Sequence, residues 1–116
     1  MLFEVELSTV GGRAVLRVRG ELDLATAPEL ARAVQAQLST SPSSLVIDLT
    51  DTTFLDSSGA RQLALAARQA GGSGTVLHLL CPPDNRPVQL VLGLLGMGAV
   101  VPVLDPATFD WSRAGS

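Results

Sequence analysis

Residues 45–72 read LVIDLTDTTFLDSSGARQLALAARQAGG, and this stretch decides the fold. Leu45-Val46-Ile47-Asp48-Leu49 is nearly continuous in apolar residues, the pattern of a central strand covered on both faces. Phe54-Leu55 is a shorter, strand-like apolar stretch. Beyond it Ala60, Leu63, Ala64 and Ala67 share one helical face, and Arg61, Gln62, Arg68 and Gln69 share the other. The spacing predicts an amphipathic helix that begins near Ser57 and is ended by Gly71-Gly72-Ser73-Gly74.

Working outward, Phe3–Leu7 and Ala14–Arg19 alternate apolar and polar residues about Val10-Gly11-Gly12, which predicts a hairpin. Ala27, Leu30, Ala31, Val34 and Leu38 recur at helical spacing, and Thr26 with Glu29 three residues on reads as a capping box. Thr75–Cys81 is another apolar strand, stopped by Pro82-Pro83. Val88, Val91, Leu92 and Leu95 mark a further helix closed by Gly96 and Gly98, and Ala99–Leu104 is the final strand. Alternating strands and helices predict an α/β fold: a mostly parallel central sheet of about four to five strands, with an N-terminal hairpin, packed with about four helices. One domain over 1–116 is expected, with its core at about 3–104 and a short tail or helix over 105–116.

Composition narrows the function classes. The chain of 116 residues is 47% apolar and 16% charged, a globular composition far from that of disordered chains. Net charge is −3, and all eight basic residues are arginines scattered singly, so no stripe exists for a phosphate backbone and nucleic acid is not an expected partner. The lone Cys81 excludes an internal disulfide, and neither cysteines nor histidines have metal-ligand spacing, so no metal or cofactor is expected. The opening MLFEVELS carries Glu4 and Glu6 where a signal peptide has basic residues, and no run approaches ~18 apolar residues. A cytoplasmic protein without membrane insertion is the expectation.

Asp56-Ser57-Ser58-Gly59 joins an apolar stretch to a helix and so presents hydroxyls and unpaired N–H groups together. Read alone, Ser57 is equally an ordinary N-cap and Gly59 a turn residue. Gly20-Glu21-Leu22-Asp23 and Thr26 form a second polar turn before the first helix, where Glu21 and Asp23 are also ordinary turn acids. Leu65, Leu90, Leu94 and Met97 lie off the apolar stripes; they line either a docking patch or a broad buried face. His78, Cys81 and Trp111 have no companions for a triad, metal site or stacking platform and read as packing or surface residues. The glycines of Gly93-Leu94-Leu95-Gly96-Met97-Gly98 are in the wrong order for a dinucleotide loop and follow a helix, so they read as a helix ending.

Together the Gly20-Glu21-Leu22-Asp23 and Asp56-Ser57-Ser58-Gly59 turns resemble the STAS domain family, and within it the bacterial anti-sigma factor antagonists. Val46-Ile47-Asp48-Leu49, Gly71-Gly72 and Leu94-Leu95-Gly96 extend the resemblance over about Phe3 to Leu104. It implies a binding module and not an enzyme. Its partner would be an anti-sigma factor with serine kinase activity, which phosphorylates Ser57, and a phosphatase would restore the hydroxyl. The unphosphorylated form would hold the anti-sigma factor and free the sigma factor. Glu21, Asp23, Thr26, Asp56, Ser58, Gly59 and Arg61 are the expected partner-binding residues. Ala60-Arg61 departs from the Leu-Gly pair usual in the family, and one helical turn places Arg61 within reach of a phosphate on Ser57 or an acid of the partner; a solvated surface arginine is the plainer reading. The alternative role is a STAS scaffold or accessory subunit of a stress-signalling or transporter complex, without a phosphorylation switch. A hydrolase with Ser57 as nucleophile needs a base, and the only histidine lies in another element.

Overall fold

The computed structural model describes residues 2–112. β1 (Glu4–Val10) and β2 (Arg13–Leu22) pair antiparallel across Gly11-Gly12. Both glycines have left-handed backbone, φ 59° and 80°, as a two-residue turn matched to strand twist requires. α1 (Ala27–Leu38) returns the chain to β3 (Ser44–Asp48), which lies parallel to β2. β4 (Thr52–Leu55) then pairs with the far end of β2, so β3 and β4 run in line as two halves of an interrupted strand. α2 (Ser57–Gly72), β5 (Val76–Leu80), α3 (Arg86–Leu94), a 3-10 turn (Met97–Ala99) and β6 (Val103–Leu104) complete the order. The sheet runs β1-β2-β3-β5-β6, antiparallel only at the hairpin, with β3 central as its apolar run predicts.

Alternation along the strands separates two cores. Leu16, Val18, Leu45, Ile47, Leu77 and Leu79 face the helices, where Leu30 and Val34 of α1, Leu63 and Ala66 of α2, and Val88 and Leu92 of α3 bury against them. Each such Leu or Val contributes about 1.5–3 kcal/mol of transfer free energy. Val15, Val46 and Leu80 point to the opposite face, where Leu104, Phe109 and Trp111 pack over them. Both faces of β3 are thus covered, one by helices and the other by the C-terminal segment.

Several expected boundaries shift. Among the described residues, three α-helices and the 3-10 turn stand where about four helices were expected, and six strands where four to five were. The final strand is Val103–Leu104 and not Ala99–Leu104, because residues 97–99 wind into the 3-10 turn after Gly96 adopts left-handed backbone at φ 65°. No helix forms over residues 105–112, and 113–116 lie outside the described residues. No capping box forms at Thr26: its backbone is already helical, φ −99° and ψ −18°, and its hydroxyl bonds backward into the preceding loop. No helix among the described residues is long and apolar enough to cross a membrane.

The C-terminal segment also buries polar groups. Arg13, 1% exposed, donates to Ser44 Oγ (3.0 Å) and to the Asp110 carbonyl (3.4 Å), with its guanidinium carbon 5.0 Å from the Phe109 ring centre. His78 meets the same ring edge-on at 5.3 Å, and its Nδ1 is buried with no hydrogen-bond partner among the described residues. Burial first, and the Arg13 charge second, hold the His78 pKa below the usual histidine value of 6.5. The folded state therefore binds fewer protons than the unfolded one just below that value. Stability is fully present at neutral pH and falls as pH drops through 6.5 toward the folded-state value. Thermal melts between pH 7.5 and 5 should show a steeper loss in the native chain than in His78→Gln, and parallel curves would contradict this account. Burial, with Asp48 and Asp84 nearby, pushes the Cys81 thiol up to about 11, which keeps it protonated and inert.

Candidate functional site

The two polar turns meet because β2 and β4 are parallel neighbours. The register sets Glu21 beside Phe54 and Leu22 beside Leu55, so Asp23 and Asp56 leave the sheet at the same end. Ligand and partner sites of parallel sheets gather at such carboxyl ends. β2 reaches this position through Gly20, whose φ of 95° accompanies a register shift; a Cβ there would stand 2.8 Å from the Leu2 carbonyl oxygen.

Asp56 caps α2. Its backbone is extended, its Oδ1 accepts from the Gly59 amide (2.8 Å), and its carbonyl accepts from Ala60 (3.0 Å). Ser57 is therefore the first helical residue and not the cap, and its hydroxyl is exposed and unused by the helix. The amides of Ser57 and Ser58 precede the first intrahelical bond and make no hydrogen bond among the described residues. Ser58 is half-buried and Gly59 buried. A Cβ on Gly59 would collide with the Leu22 carbonyl and lie 2.8 Å from Leu55 Cδ1. The glycine is the steric condition for docking the first turn of α2 against β2.

The loop before α1 is held from within. Asp23 Oδ1 accepts from the amides of Ala25 and Thr26, each at 3.0 Å. The Thr26 hydroxyl accepts from the Asp23 amide (2.9 Å) and donates to the Glu21 carbonyl (2.7 Å). Asp23 and Thr26 thus shape the loop, while the Glu21 side chain and Leu24, 73% exposed, face outward.

Arg61 is exposed one turn beyond Ser57, and both border a cleft of about 300 Å³ with Ala60, Ala64, Leu95, Met97 and Val100. Of the residues placed off the apolar stripes, Leu65, Leu90 and Leu94 are exposed, whereas Met97 is buried at 3%. The buried-face reading thus fits Met97 and does not fit the other three, which are open to solvent. Leu24, Phe54, Leu95 and Val100 are also exposed, although the sequence places Phe54 in a strand-like stretch, Leu95 on the apolar stripe of α3 and Val100 in the final strand. Among the described residues no three of His, Cys, Asp and Glu form a metal-binding group. His78 lies under the C-terminal segment on the face away from the helices, so it provides no base for Ser57.

A family model described as "Mlab, STAS domain" matches residues 5–102. The chain belongs to the STAS-domain family. Its homologues include the anti-sigma-F factor antagonist RsfB of Mycobacterium tuberculosis, 39% identical over 69 residues. That alignment covers 60% of this chain and 57% of RsfB, so it spans less than two thirds of the relative. Among solved structures, an anti-sigma factor antagonist from Mycobacterium paratuberculosis superposes with a TM-score of 0.79 at 28% identity, covering 89% of this chain and 86% of that one. The antagonist SpoIIAA in its unphosphorylated form shares the fold, with a TM-score of 0.69 at 20% identity over 91% and 90% of the two chains. The expectation of a regulator and not an enzyme agrees with these relatives.

Two substitutions test the geometry of this STAS domain. Gly59→Ala should destabilise it by about 2–4 kcal/mol, because backbone and a buried leucine must move. Asp56→Ala should cost about 1 kcal/mol, the usual value of a helix cap. Urea denaturation measures both; a neutral Gly59→Ala would contradict the close approach.

Proposed function

We propose that this STAS domain is an anti-sigma factor antagonist that binds an anti-sigma factor with serine kinase activity, frees the sigma factor, and is switched off by phosphorylation of Ser57. A phosphatase acting on phospho-Ser57 resets it, and the exchange takes place in the cytoplasm. The observation that carries this reading is the exposed Ser57 hydroxyl, left free because Asp56 makes the helix cap. The relationship to RsfB supports it.

A phosphate on Ser57 adds roughly −1.5 to −2 charges at neutral pH. The first turn of α2 tolerates that charge, since its free amides and dipole favour an anion. The partner surface does not: the charge appears beside Asp56, with its bulk at the mouth of the cleft. Glu21 and Arg61 offer side chains for direct contact, Asp23 and Thr26 hold the loop in shape, Asp56 and Gly59 set the height of the helix above β2, and half-buried Ser58 borders the phosphorylated residue. Arg61 holds the phosphoryl group or an acid of the partner.

Incubation with ATP and the serine kinases of its own cell, followed by intact-mass and phosphopeptide analysis, should give one phosphate on Ser57. Ser57→Ala should keep partner binding and resist the kinase, and Ser57→Asp should keep its circular dichroism while losing the partner. Unchanged affinity of Ser57→Asp would overturn the switch; no phosphate with any kinase would favour the scaffold role.

A further inference from the structure

β1 is one edge of the sheet, and no described strand pairs with its outer side. It is seven residues long and lacks the proline, lysine or bulge with which natural edge strands are blunted. The two-residue turn makes Val10 and Arg13 the closing hydrogen-bonded pair, so Glu4, Glu6, Ser8 and Val10 direct their N–H and C=O groups at β2. Val5, Leu7 and Thr9 direct theirs outward. Leu7 stands opposite Leu16, which is 2% exposed, yet is itself 54% exposed at the open edge.

We propose that β1 pairs antiparallel with β1 of a second copy of this chain, about a two-fold axis at Leu7. Leu7 is the midpoint of Glu4–Val10, so in this register every residue of the strand finds a partner. Leu7 faces Leu7, Val5 faces Thr9, Glu6 faces Ser8, and Glu4 faces Val10. The outward-directed residues meet one another, and each such pair exchanges both of its backbone hydrogen bonds. A slip of one residue sets outward groups against inward ones. A slip of two residues sets Glu6 against Glu6 in one direction and leaves Glu4 and Val5 beyond the facing strand in the other, so charge and length select the same register. The charge of the acids is partly offset, since Glu4, Glu6 and Asp51 share Arg19 of their own chain at 4.0, 3.7 and 3.8 Å. The pairing is isologous and closed, and it joins the two sheets into one.

Sedimentation velocity of the whole chain, from low micromolar to several hundred micromolar, should show a monomer–dimer equilibrium. Amide exchange at the high concentration should protect Val5, Leu7 and Thr9, and dilution should remove that protection. Leu7→Lys opposes two like charges at the axis and should raise the dimer dissociation constant at least about tenfold. Thr9→Pro removes an outward amide that the fold does not use and should also weaken the dimer, with circular dichroism checking the fold of each variant. A monomer at every concentration would overturn the proposal. So would a dimer whose Val5, Leu7 and Thr9 amides exchange as exposed groups, or one that survives both variants.

Discussion

The first turn of α2 sits so close to the end of β2 that no atom fits between the Gly59 backbone and the Leu22 carbonyl. That contact fixes the height and tilt of α2 over the sheet, and with them where Leu63 and Ala66 enter the helix-side core. It also brings together the turn that ends β2 and the turn that ends β4, which are more than thirty residues apart in the chain. The bend of β2 at Gly20 is its necessary partner, because β2 must leave β3 and meet β4 before Leu22 is in position. Two glycines therefore carry the geometry of the site without contributing a functional group to it.

Division of labour among the polar residues follows from the same constraint. A helix that begins against a strand needs a cap that reaches its third amide without bulk, and Asp56 provides it. The hydroxyl next to the cap has nothing structural to do, so chemistry on Ser57 costs the core little. Asp23 and Thr26 are committed to their own loop through paired backbone and side-chain bonds. Substituting either one would alter the loop before it altered any contact made by the loop, and their effects on binding are effects of shape. The Glu21 and Arg61 side chains are exposed and are not committed in this way.

The order of strands and helices was legible wherever periodicity was strong: the hairpin alternates over both strands, Leu45–Leu49 is nearly continuous in apolar residues, and Ala60, Leu63 and Ala67 mark α2. What escaped was decided at a distance. Thr26 and Glu29 satisfy the capping-box pattern, but the Thr26 hydroxyl prefers the Asp23 amide and the Glu21 carbonyl, a choice made by the bend of the loop and not by local spacing. Phe54-Leu55 reads in the sequence as no more than a short strand-like stretch, and the full strand Thr52–Leu55 forms because β2 offers a free edge beyond Gly20. Leu24, Phe54 and Leu95 read as core residues in one dimension, and their exposure depends on where neighbouring elements end.

The C-terminal segment shows how a helix-free stretch completes a sheet. With all three helices on one face, Val15, Val46 and Leu80 would be left to water on the other; Phe109 and Trp111, 4.8 Å apart and edge to face, remove them from it. The cover extends over Arg13 and His78 but not over Arg17 and Arg19, which instead line up with Asp48, Glu4, Glu6 and Asp51 at 3.7–4.0 Å. The same sheet face is therefore apolar and sealed toward the hairpin turn, and ionic and wet toward the end that carries Ser57. The Arg19 pairs are exposed and add little stability, whereas Arg17 pairs with an Asp48 side chain that is only 13% exposed. The C-terminal cover and the ion pairs thus lie on the sheet face away from the helices, apart from the candidate site at the carboxyl ends of β2 and β4.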